Sequence, residues 1–192
     1  YSQQLQASFV LDRFVELTAT GDSSRLRVLW AELARSWGAI YEVATRAVFH
    51  CQHSAHGGER DRTAPSLLWY LLKDSSWLPA LRGTEVQQVR AADAWRLAFD
   101  TPKWVARRVP VIDPTMLEGP GLTLGVALGV TDAARPAASD LCRLLESLRS
   151  ECEASGEATR EIQIAARWAM RTLNDVLVER RDESKLSEVP LL

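Results

Sequence analysis

The sequence is poor in the features that usually announce a function. Its three cysteines, Cys51, Cys142 and Cys152, are too few and too irregularly spaced for a disulfide framework, and an odd count fits a reducing compartment better than secretion. No apolar run reaches the roughly 18 residues that a membrane-spanning helix needs, so no membrane partner is expected and a cytoplasmic location is. Neither sign of charge dominates. With 23 basic and 25 acidic residues the net charge is −2, which gives no electrostatic footprint for nucleic acid. The short basic pairs Arg107-Arg108 and Arg180-Arg181 read as solvated helix ends. No internal repeat at a solenoid period is visible. The G-x-S-x-G elbow of serine hydrolases is missing. The glycine rhythm of Glu118-Gly119-Pro120-Gly121-Leu122-Thr123-Leu124-Gly125 lacks the Lys-Ser/Thr of a phosphate-binding loop and reads as turns around a short buried segment. No cofactor is expected.

What is present is a globular profile. A chain of 192 residues that is 46% hydrophobic and carries seven tryptophans can bury roughly 70% of its unfolded surface, enough for a core without staples. Val10, Phe14 and Leu17, spaced four and three apart, predict a first helix over about Gln3 to Leu17. Gly21-Asp22-Ser23-Ser24 breaks it and supplies caps. Leu26, Leu29, Trp30, Leu33, Trp37, Ile40, Tyr41, Ala44 and Val48 then predict one helix of about six turns, with Gly38 as a place to bend. The polar stretch Ser54 to Thr63 reads as a surface loop. Pro65 opens a short helix to Lys73, apolar nearly all round and so expected to be buried on several sides.

From Ser75 to Val130 prolines and glycines recur and long helices are not expected. Short strands at Trp77–Leu81 and Glu85–Arg90, with Arg82-Gly83-Thr84 as the turn, predict a hairpin inside an irregular module with several single-turn helices. The last third is helical again. Leu141, Leu144, Leu145 and Leu148 form one stripe and Ile162, Ala165, Ala166, Ala169, Leu173, Val176 and Leu177 another, with Gly156 between them, as in an antiparallel helical pair. Cys142 and Trp168 are assigned to its core, and beyond Arg181 no period remains. The expected fold is mainly α: a single helical domain over 1–182, an irregular Pro/Gly/Trp-rich insert with a short β-hairpin at about 75–130, and a flexible tail at 183–192.

Few residues suggest chemistry. His50, Cys51, His53 and His56, with Asp61 beyond, are zinc-type ligands in one short run. Steps of three drift by about 60° on a helix, so they cannot all converge, and a polar helix end running into a loop accounts for them without a metal. Asp93, Asp100, Asp113, Asp132 and Asp140 sit where carboxylates serve caps and turns. Trp30 and Trp37 read as core. Trp77, Trp95 and Trp104 read first as core residues that pin the irregular module, and, with Arg107 and Arg108, are the candidates for contacting a partner.

The run Ser76-Trp77-Leu78-Pro79-Ala80-Leu81-Arg82-Gly83, followed by Val89 and Ala91-Ala92-Asp93-Ala94-Trp95, resembles a recurring element of sacsin-like proteins. The stretches from Thr101 to Asp113 and from Leu128 to Pro136 resemble actinobacterial members of that group, and the resemblance extends over about residues 65 to 180. Such proteins carry an ATP-binding domain of the gyrase and histidine-kinase type, whose Asn-bearing helix and glycine turns are absent here. The resemblance implies a downstream, non-ATPase region, with links to chaperone-like work and bacterial defence but no transferable functional residue. Tyr1-Ser2-Gln3-Gln4, without an initiator Met, is in keeping with a piece of a longer polypeptide.

These readings converge on a structural or protein-interaction domain without catalytic residues, binding other domains of its parent polypeptide or a protein partner. The alternative is a nucleic-acid-associated module in which Arg82, Arg90, Lys103, Arg107 and Arg108 form a basic face. A metal-dependent enzyme built on the histidine run is the third and weakest reading.

Overall fold

A computed structural model describes residues 2–52 and 59–187. In chain order the elements are α1 (Ser2–Thr20), α2 (Ser23–Ser36), α3 (Glu42–Ala44), β1 (Arg46–Gln52), β2 (Glu59–Pro65), α4 (Leu67–Asp74), β3 (Leu78–Arg82), β4 (Glu85–Val89), β5 (Trp95–Arg96), α5 (Lys103–Ala106), β6 (Val111–Ile112), α6 (Pro120–Leu128), β7 (Thr131–Asp132), α7 (Ala138–Ser155) and α8 (Arg160–Ser187). The fold is mainly α, with a small mixed sheet of five strands and a separate two-stranded ladder. Contacts group the chain into two compact units. One comprises Tyr1–Leu81, Val86–Ala94 and Ile112–Val130; the other comprises Arg82–Glu85, Trp95–Val111 and Thr131–Leu192.

In the first unit, Val10, Phe14 and Leu17 are buried along α1 as their spacing requires. Asp22 then caps α2, accepting from the amides of Ser24 and Arg25 at 3.0 and 3.2 Å, which satisfies donors that a helix start leaves orphaned. The expected six-turn helix is not continuous. At Trp37–Tyr41 it widens into a π-helical turn, in which the Glu42 amide reaches back five residues to the Trp37 carbonyl. Helix α3 ends at Ala44, and Val48 lies in a strand. Two things stop the helix. Ser66 donates its hydroxyl to the Ala44 carbonyl at 2.6 Å and its amide to the Thr45 carbonyl at 2.8 Å, closing the helix end. Beyond it, β1 has an antiparallel partner in β2, in register from Arg46↔Pro65 to Gln52↔Glu59. The expected loop is therefore strand from Glu59 onward.

Ser66 also caps α4, accepting from the Trp69 amide at 3.3 Å. Leu68 and Leu72 are buried, but Leu67 and Tyr70 face solvent, so α4 is covered on one side and not on several. Strands β3 and β4 are neighbours in the sheet, joined through Gly83 at φ 64°, a left-handed conformation that favours glycine. The glycine-bearing stretch after Glu118, expected as turns, is helix α6. Gly121 lies so close to its surroundings that a Cβ there would sit 2.0 Å from the Met116 carbonyl oxygen. That same oxygen accepts from the Trp30 indole at 2.6 Å, so glycine lets α6 approach α2.

Trp77 is wholly buried at the centre of this unit. Its ring meets Phe14 edge-on, with centroids 5.2 Å apart, and Trp30 at 5.8 Å. Its indole donates to the Leu72 carbonyl at 2.8 Å. Aromatic packing with a satisfied N–H is what a buried tryptophan requires.

The second unit rests on the paired helices α7 and α8. Gly156, at φ 72°, ends α7 in the left-handed conformation typical of helix C-termini. Leu141, Leu144 and Leu148 are buried, as are Ile162, Ala165 and Ala169, the stripes the sequence predicts. Cys142 is exposed. One residue on from Leu141 means about 100° around the helix, off the stripe. Trp168 is half-buried at the margin of this core. Helix α5 packs on α8 and contributes Val105, with Val109, Trp95 and Ala133 completing the cluster. Strand β5 runs parallel to β6 (Trp95↔Val111) and to β7 (Trp95↔Thr131, Arg96↔Asp132). Helix α8 continues to Ser187; of the expected tail, residues 188–192 lie outside the described residues.

Candidate functional site

The first unit carries a groove between α1 and α2, of about 610 Å³. Val10 and Leu17 of α1 and Leu29 of α2 form its floor, Val28 its wall, and Ile40 and Tyr41 its end. Its rim carries Arg13, Arg25 and Glu32, each held by an acid or base three residues away: Arg13 by Glu16, Arg25 by Asp22, and Glu32 by Arg35. The rim is therefore polar but close to neutral. Burial, with Glu32 adding to it, pushes the Tyr41 hydroxyl above its ordinary pKa. A hydrogen bond from the Ser24 hydroxyl, then the amide of Arg25, holds the Asp22 carboxyl below the usual range.

The π-helical turn shapes the end of this groove. A π bond inserts one extra residue into the helical register, so Ile40 and Tyr41 are presented at angles an unbroken α-helix would not give; such turns recur at functional sites. The groove was invisible to periodicity alone. Its clearest signal is Val28, which is about 140° around α2 from Leu33 at 100° per residue and 69% exposed. An apolar residue on the outer side of an amphipathic helix has no role in the core.

The residues singled out by the sequence do not come together. Trp77 and Trp95 are buried in different units, and neither offers its ring to a partner. Trp104 is half-buried with the Arg107 guanidinium 5.0 Å from its ring centre. Arg108 is nearly covered; it makes two hydrogen bonds of 2.9 Å to Glu151 and lies 3.8 Å from Glu161. Arg90 is held by Asp93, while Arg82 and Lys103 are exposed. Three of the five residues of the expected basic face are thus engaged by acids.

Of the histidine run, His50 and Cys51 lie in β1, whereas His53 and His56 lie outside the described residues. Among the described residues no group of three potential ligands is gathered for a metal, and no helix is long and apolar enough to cross a membrane. The aspartates behave largely as caps. Asp113 accepts from the Thr115 amide at 3.0 Å, Asp132 from that of Ala134 at 3.0 Å, and Asp140 from that of Ala137 at 3.2 Å.

One residue that the sequence reading passed over is Phe99, fully exposed in the second unit. It sits on a turn closed by Thr101, whose hydroxyl accepts from the Ala98 amide at 3.0 Å and whose amide donates to the Ala98 carbonyl at 3.1 Å. An aromatic side chain held out by this turn contributes nothing to the core.

No protein-family model matches this chain, and no curated protein and no solved structure matches it either.

Proposed function

We propose that this chain is a non-catalytic, cytoplasmic structural and protein-interaction domain of a larger, ATPase-bearing bacterial protein of the sacsin-like kind, chaperone-like or defence-related. Its short hairpin of β3 and β4 belongs to the scaffold. The observation that carries this reading is the α1–α2 groove. It is apolar at its base, neutral at its rim and bounded by a π turn, the kind of lining on which the apolar face of an amphipathic helix docks. The expected occupant is a segment of another domain of the same polypeptide. The nucleic-acid alternative has less support, because Arg90, Arg107 and Arg108 already face carboxylates.

The test is calorimetric titration of the chain with the ATP-binding domain encoded in the same natural gene. Binding is expected, with loss on Val28→Glu and no change in melting temperature, since Val28 is largely exposed. A gene encoding no such domain, or complete indifference between the two, overturns the proposal.

A further inference from the structure

Ten of the 20 arginines form ion pairs among the described residues. Arg13, Arg25, Arg35, Arg90, Arg143 and Arg149 each reach an acid three or four residues away. Arg27, Arg96, Arg107 and Arg108 reach acids of other segments. Among the described residues Arg82 and Arg135 form no ion pair and stand apart from one another, whereas helix α8 gathers three such arginines. Arg160, Arg167 and Arg171 are exposed, and none makes an ion pair among the described residues. Steps of seven and four residues return within about 20° of the same line, so the three form one stripe about 16 Å long on the side away from Ala165 and Ala169.

Two local preferences are broken to place them there. Arg160 opens the helix, where the positive end of the macrodipole disfavours a cation. Arg167 and Arg171 are like charges four residues apart, which repel. The acid nearest the helix start, Glu161, is turned toward Arg107 and Arg108; Asp175 marks the far end of the stripe. Met170 lies about 80° around the helix from this stripe and Leu177 and Val178 follow beyond Asp175; the three are 63%, 52% and 50% exposed. Arginine and methionine are the side chains that interfaces between proteins gather.

We propose that the outer face of α8 docks an acidic amphipathic segment of a protein. Its carboxylates would pair Arg160, Arg167 and Arg171, and its apolar side chains would cover Met170, Leu177 and Val178. A nucleic acid duplex uses arginines for its phosphates but offers nothing to the three apolar side chains. A second copy of the same face would set arginine against arginine. This face belongs to the second unit and the groove to the first, so each is tested without the other.

The experiment is fluorescence anisotropy with three labelled probes. They are an acidic amphipathic helical peptide of about 20 residues, long enough to span the stripe, the same peptide with every Glu replaced by Gln, and a DNA duplex of about 20 base pairs. The acidic peptide is expected to bind. Either the Gln peptide or the Arg160→Gln/Arg167→Gln/Arg171→Gln variant should weaken binding at least about fivefold, with the variant melting no lower than the parent. The single Arg167→Gln variant, which relieves the repulsion with Arg171, keeps the comparison valid should the triple variant melt early. Failure of the acidic peptide to bind, binding indifferent to these substitutions, or tighter arginine-dependent binding of the duplex overturns the proposal.

Discussion

The two units bury their apolar surface in opposite ways. The first gathers large, irregular side chains, Phe14, Trp30, Trp37 and Trp77, around a chain that changes from α to π to strand within a few residues. The second is periodic: leucines of α7 face small residues of α8, Ala165 and Ala169, which let the helices come close. Where the backbone is regular, small residues at the right interval suffice. Where it is irregular, the core depends on individual aromatic side chains whose shape and single N–H group fit one place only. The first unit should therefore be vulnerable at points and the second tolerant along its length.

Substitutions sharpen that contrast. Trp77→Ala should have the largest effect, about 3–5 kcal/mol by denaturant unfolding, the range for truncating a buried tryptophan, because it leaves Phe14 and Trp30 without their shared neighbour. Ala165→Leu should cost less, about 1–3 kcal/mol, as overpacking between two helices. A cost larger than that of Trp77→Ala would reverse the comparison. Arg108→Gln, which removes the partner of Glu151 and one partner of Glu161 at the margin of the second unit, should cost about 1 kcal/mol, and less in high salt, which screens the pairs.

The smallest expected effect is a pH dependence in the first unit. The Thr115 hydroxyl and amide, then Arg27, hold the Asp113 carboxyl below its ordinary range. A folded pKa below the unfolded one gives stability that is present above the unfolded value and lost as pH falls through the folded one. The difference in melting temperature between the parent and Asp113→Asn should therefore shrink below about pH 4. A difference that persists unchanged in acid would mean that the cap works through shape alone.

The same contrast explains what could be read from the sequence. The second unit was legible because its helices repeat: Leu141, Leu144 and Leu148 and the alanines of α8 fall on two stripes, although Cys142, one position off the line, and Leu177, at the end of the second stripe, are exposed and Trp168 is only half-buried. Much of the first unit was not legible. The stripe from Leu26 to Val48 keeps a helical spacing across a π turn and into a strand, because periodicity does not record where Ser66 closes the helix end from 22 residues away. The pairing of β1 with β2 is equally non-local. Gly119 to Gly125 reads as turns when glycine is counted as a breaker, yet Gly121 is needed inside a helix because a neighbour stands where its Cβ would be. The groove and the α8 arginines escaped for another reason. Both are defined by what is missing, an apolar covering and an acidic partner, which only the assembled surface reveals.

The contact between Trp30 and Trp77 also has an optical consequence. Two indoles with ring centres 5.8 Å apart and planes inclined by 36° couple their electronic transitions, so the first unit carries its own near-ultraviolet circular dichroism signature. Trp95, Trp104 and Trp168 lie in the second unit. With Trp77→Phe the coupled band should vanish, which makes that band a reporter of packing in the first unit without any added label.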